Sequence, residues 1–169
     1  MPTKCDNSIA RAEGTRQPRL SARTAAYDLG SMALAELRGT QMVNGIGGSG
    51  DFARNAYLSI FVSKSLAKSG AISSVVPMVS HVDHTEHDVD ILVTEVGLAD
   101  LRELAPRERA RAIIANCVHP SYLAQMNDYF ERALVLAGHT PHVLDEAFSW
   151  HLRRQTGGTM LDSAHLEEN

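Results

Sequence analysis

Asn44-Gly45-Ile46-Gly47-Gly48-Ser49-Gly50-Asp51-Phe52-Ala53-Arg54-Asn55 sets four glycines within six positions, directly ahead of a run able to form a helix. Glycine reaches backbone angles closed to other residues, so this stretch reads as a tight loop, followed by a short helix that Ser49 or Asp51 could cap. Gly45, Gly47 and Gly50 satisfy G-x-G-x-x-G. A dinucleotide fingerprint, however, follows a clear strand and has an acid about twenty residues further on. Position 70 is glycine, and no lysine follows the loop as a Walker motif requires. Two readings remain: a plain tight turn, or exposed N–H groups that stabilise a carbonyl oxygen gaining negative charge.

Outward from the loop, residues 58–62 (LSIFV) read as a strand and 65–68 as a turn closed by Gly70. Residues 72–79 (ISSVVPMV) form a second strand that Pro77 ends, and 89–95 (VDILVTE) a third. Pro106 with Glu108 opens a helix through 116, Pro120 opens another that Gly138 stops, and Pro141 opens a third through about 154. Upstream, residues 25–37 (AAYDLGSMALAEL) allow a helix interrupted by Gly30. Strands followed by helices, with no internal repeat, indicate an α/β layer with a helical end.

Between the second and third of those strands lies Ser80-His81-Val82-Asp83-His84-Thr85-Glu86-His87-Asp88-Val89-Asp90, with three histidines and four carboxylates. The residue types suit zinc. On a loop, however, histidines at i, i+3 and i+6 splay apart, and no cysteine pair stands nearby, so no metal site is expected; the stretch reads as a solvated or hydrogen-bonded loop joining two strands.

The chain has 169 residues, 44% of them hydrophobic and 21% charged, as in an ordinary soluble domain, with a formal net charge of −4. That balance gives no bulk attraction to nucleic acid or to an anionic membrane, and no apolar window is long enough to span a bilayer. Cys5 and Cys117 stand far apart. A cytoplasmic setting is expected, with Cys117 buried and inert at the end of an apolar run. The arginine- and serine-bearing start leaves a mitochondrial transit segment as the alternative.

Four segments together carry a resemblance. They are the glycine stretch above; Val76-Pro77-Met78-Val79-Ser80-His81-Val82-Asp83-His84-Thr85-Glu86-His87-Asp88; Val93-Thr94-Glu95 with Gly97-Leu98-Ala99-Asp100-Leu101-Arg102; and Pro106-Arg107-Glu108-Arg109-Ala110-Arg111. In this order they resemble the C-terminal domain of the acetyl-CoA hydrolase/transferase family, which includes acetyl-CoA hydrolases and succinyl-CoA:acetate CoA-transferases. The likeness is traced over residues 39–150. Residues 39–155 are assigned to the domain, 1–38 to a poorly matched segment expected to be disordered, and 156–169 to a frayed tail.

The resemblance implies an α/β fold, the C-terminal part of a CoA-transferase domain of the NagB/RpiA type, with a helical end. It also implies a ping-pong reaction. A glutamate carboxylate attacks an acyl-CoA thioester and expels CoA thiolate, leaving an acyl-glutamyl anhydride. The thiolate returns to give an enzyme-CoA thioester and frees the carboxylic acid; a second acid then accepts the CoA, or water intercepts an intermediate. By the same resemblance Gly47 and Gly48 are backbone oxyanion donors, Asn44 and Gly50 line the substrate, and Lys68 meets the CoA phosphates. No permanently bound cofactor is implied, CoA thioester being substrate together with a small carboxylic acid.

Departures from the family pattern are specific. The family's nucleophilic glutamate lies upstream of the glycine loop, in a context that neither Glu13 nor Glu36 shares. The chain alone is therefore expected to be inactive, as a truncated product or one that draws its nucleophile from a separate chain, with self-association also expected. The alternatives are a non-catalytic CoA-binding or interaction fragment and, third, a metal-binding domain. Glu95 reads as a structural acid at a strand end. Val96 replaces a common glutamine or tyrosine, and Glu103 stands where glycine is common, which should alter a turn.

Overall fold

The structure is a computed structural model that describes residues 46–136 and 138–162, with the backbone of five short strands before them. Those strands are β1 (Arg19–Ala22), β2 (Ala26–Asp28), β3 (Leu34–Ala35), β4 (Leu37–Arg38) and β5 (Gln41–Met42). After helix α1 (Ser49–Arg54) come β6 (Ser59–Val62), β7 (Leu66–Ala67), β8 (Ile72–Ser73), β9 (Val75–Val76), β10 (Ile91–Val93) and β11 (Leu98–Asp100). Three helices close the described chain: α2 (Pro106–Cys117), α3 (Pro120–Val135) and α4 (Ser149–Gly157).

The main sheet runs β1-β6-β10-β11, parallel through β10 and antiparallel at β11. In β6 buried and half-buried positions alternate, as a pleated strand with one face on the core requires. A smaller sheet, β3-β2-β9, joins Tyr27 to Val75 and Asp28 to Val76 in parallel register. Phe61, Val75, Val76, Leu92, Ile113, Cys117, Tyr122, Met126 and Trp150 form one buried cluster between sheet and helices. This is the expected α/β arrangement, with helices gathered at the C-terminal end.

Helix starts follow the prolines at 106 and 120. Each proline occupies the first turn, where its missing N–H costs no hydrogen bond. The Glu108 carboxylate accepts the Ala105 N–H at 2.8 Å, and His119 Nδ1 accepts the Ser121 N–H at 3.2 Å.

Four expectations need correction. Of the stretch 25–37, the described residues are strand and not helix: β2, β3 and the start of β4 lie there, because pairing with β9 outweighs a weak local preference. Strand pairing therefore also reaches into the segment for which disorder is expected. The helix after Pro141 begins only at Ser149, since the intervening turns are tied to α3: Tyr129 Oη accepts the Val143 N–H at 3.3 Å, and Arg132 grips Glu146 with two bonds of 2.7 Å. Fraying does not set in at 156. Met160 is buried, its N–H donates to the Ala71 carbonyl at 2.9 Å and its carbonyl accepts from Gln125 at 3.1 Å. Residues 163–169 of the expected tail lie outside the described residues.

Candidate acyl-CoA site

The glycine loop is seen from Ile46 onward; Asn44 and Gly45 lie outside the described residues. Gly47 takes φ +53°, a left-handed angle that favours glycine, and Gly48 caps α1 without a side-chain hydrogen bond. Both glycines are exposed, so the turn is open to a ligand. Gly50 differs. It is buried inside α1, and a Cβ there would sit 2.9 Å from Ile46 Cδ1. A side chain at 50 would have to displace the end of the Ile46 side chain, which packs the loop on its own helix.

The histidine-rich stretch comes up beneath this turn. A 3-10 turn, Glu86–Asp88, opens with Asp88 Oδ2 accepting the Thr85 N–H at 3.3 Å. His84 and Asp88 are each 3% exposed at the side chain, with Nδ1 and Oδ2 3.5 Å apart. His84 Nε2 lies 2.9 Å from Ser49 Oγ, and the Arg54 Nε–H donates to Asp88 Oδ1 at 3.1 Å. Phe61 of β6 meets the His84 ring edge-on at 5.0 Å. His81 turns instead to Asp83 at 3.3 Å, while His87 is exposed at the surface. The three imidazoles thus take three separate directions. Among the described residues no group of three or more histidine, cysteine or acidic side chains converges as a metal site would require.

Lys68 sits in the turn between β7 and β8, exposed, at φ +52°. This places it in a different hairpin from the glycine turn. Glu95 accepts the Ser65 N–H at 2.8 Å and the Ser65 hydroxyl at 2.5 Å. Burial alone would raise its pKa, but these bonds outweigh that effect and hold the carboxyl below its ordinary range. It fastens β10 to the start of the β7 hairpin. Burial pushes the Cys117 thiol up to about 11, which leaves it an un-ionised core group.

Arg109 was passed over as a single residue within a longer motif. Its guanidinium donates to the carbonyls of Leu101, Glu86 and Val89, each at 2.8 Å, and so ties α2 to the histidine stretch. An arginine on the inward face of α2, one turn from Pro106, was the available signal.

The sequence profile of the acetyl-CoA hydrolase/transferase C-terminal domain matches residues 11–130. The chain belongs to this family. The matched residues begin before residue 39, where the likeness in the motifs starts. Succinyl-CoA:acetate CoA-transferase of Clostridium kluyveri is 59% identical over 132 residues, covering 78% of this chain and 24% of that protein. Propanoyl-CoA:succinate CoA transferase of Escherichia coli is 54% identical, over 73% of this chain and 25% of the other. Acetyl-CoA hydrolase of Saccharomyces cerevisiae is 51% identical over the same two shares, 73% and 25%. The chain spans about a quarter of the length of these relatives.

Among solved structures, RipA from Yersinia pestis superposes with TM-score 0.57 at 26% identity, covering 71% of this chain and 26% of that one. 4-Hydroxybutyrate CoA-transferase from Porphyromonas gingivalis gives 0.51 at 27%, covering 68% and 26%. The fold is that of CoA-transferases. No described helix is long and apolar enough to cross a membrane.

Proposed function

We propose that this chain forms the acyl-CoA side of a CoA-transferase or acyl-CoA hydrolase site. The observation carrying the proposal is the exposed Gly47-Gly48 turn, held beside the half-buried Ser49 and the buried His84 and Asp88 within a domain of this family. On this reading the Gly47 and Gly48 N–H groups receive the thioester oxygen as it gains charge, a contact worth about 3 kcal/mol of barrier per donor. Asn44 lines the same substrate, Gly50 keeps the loop closed on α1, and Lys68 meets the CoA phosphates. The attacking carboxylate comes from outside these 169 residues, so the chain alone binds acyl-CoA without consuming it. A second copy, or a chain bearing the other half of the site, is the macromolecular partner. Leu144, Phe148 and Leu152 are exposed apolar side chains at and just before α4.

Calorimetric titration of the chain with acetyl-CoA, combined with a thiol-release assay, tests the proposal. Saturable binding without thiol release is expected, with Lys68→Ala weakening it about tenfold, as for loss of one phosphate ion pair. Absence of binding would overturn the acyl-CoA reading. Thiol release would overturn the external origin of the nucleophile.

A further inference from the structure

Ser49, His84 and Asp88 stand in the order of a hydrolytic triad, but the serine hydroxyl is already committed. It donates to the Ile46 carbonyl at 2.5 Å, so the 2.9 Å contact with His84 Nε2 requires the imidazole to be the donor. A serine arranged in this way is not being deprotonated by its histidine. The hydrogen bonds run from ring to hydroxyl to loop carbonyl.

We propose that His84 is a positioning residue: through Ser49 it clamps the Ile46 carbonyl and thereby fixes the Gly47-Gly48 turn, with Asp88 anchoring the clamp. The reason such a clamp is needed lies in α1, which has only six residues. A helix this short gains little from its own hydrogen bonds and must be held by the rest of the fold. Asp88 stands near both of its ends. At the N-terminal end, Asp88 Oδ2 faces His84 Nδ1 at 3.5 Å, a contact that becomes an ion pair when the ring carries both protons. At the C-terminal end, Asp88 Oδ1 takes the Arg54 Nε–H at 3.1 Å. Asp88 is itself fixed to the sheet, since Ser59 Oγ donates to its carbonyl at 2.6 Å. Phe61 closes the other side of the imidazole and leaves Nε2 aimed at the loop. The chain of contacts therefore runs from β6 through Asp88 and His84 to the two glycines.

The acyl-CoA role of the turn rests on the reading above; the clamp does not. Two conservative variants separate ring from donor. In His84→Gln the side-chain amide reaches the Nε2 position and keeps a donor toward Ser49. In His84→Asn an amide reaches only as far as Nδ1 and the donor is lost.

Nitrogen-15 NMR of the unliganded 169-residue chain comes first and needs no variant. His84 Nε2 is expected in the protonated range, and a bare Nε2 would overturn the proposal. Backbone order parameters follow, with thermal unfolding as the control for folding. For Gly47 and Gly48 they are expected to fall from about 0.85 to below about 0.6 in His84→Asn and Ser49→Ala, and to stay high in His84→Gln. Equal order in all four proteins, or equal loss in both His84 variants, would overturn the clamp. Acetyl-CoA affinity is then expected to drop about fivefold in His84→Asn, as for one net hydrogen bond, and to hold in His84→Gln. If the order parameters respond as stated while the unaltered chain fails to bind acetyl-CoA, the clamp stands and the acyl-CoA reading falls.

Discussion

Glu103 carries φ +61° at an exposed turn between β11 and α2. A side chain in this left-handed region crowds its own backbone by about 1 kcal/mol or more. The resemblance drawn from the motifs marks the same spot as one where glycine is expected. Glu103→Gly is expected to raise unfolding stability by about 1 kcal/mol, the relieved strain exceeding the added freedom of the unfolded chain, as chemical denaturation would show. Glu95 supplies a prediction with a pH sign. Its folded pKa lies below the ordinary 4.5, so its stabilising effect is complete above that value and disappears as pH falls through the folded pKa. The difference in melting temperature between the unaltered chain and Glu95→Gln should therefore be largest at neutral pH and close on acidification below the ordinary carboxylate range. At this scale the sequence was informative wherever a residue's chemistry is local, as with Cys117 at an apolar helix end. For His84 it pointed to a hydrogen-bonded loop but not to the partner Ser49, 35 positions away.

At the scale of elements, helix boundaries were legible at Pro106 and Pro120 because proline fixes φ and lacks the N–H that a first turn leaves unused. Pro141 carried the same signal and misled. The turns that follow it are held by Tyr129 and Arg132 from α3, which no local pattern encodes. Strands β2 and β3 were missed for a similar reason, since their pairing with each other and with β9 is tertiary. Arg109 shows how such distant ties operate. Its three carbonyl acceptors belong to the β11–α2 connection, the 3-10 turn and the start of the third predicted strand. Arg109→Ala would strand buried carbonyls and is expected to lower stability by about 3 kcal/mol, measured by denaturant unfolding. Lysine at 109 should not restore it, because one ammonium cannot reproduce the planar fork.

For the whole molecule, fold class was readable because strand-like runs preceding proline-started helices admit few layered solutions. Family membership was readable because four ordered motifs had to be satisfied together. The particular partners of His84 and Asp88 in the histidine stretch were not, since Ser49 and Arg54 of α1 stand 35 and 34 positions away from them. The central claim is that Gly47 and Gly48 offer their N–H groups to an acyl-CoA thioester. The most direct test is to titrate acetyl-CoA into the nitrogen-15-labelled chain and follow the backbone amide signals. The account predicts that the Gly47 and Gly48 amides shift most and in parallel, with Ser49 close behind, whereas CoA lacking the acyl group moves them much less. Shifts confined to other parts of the fold, or equal shifts with and without the acyl group, would contradict it.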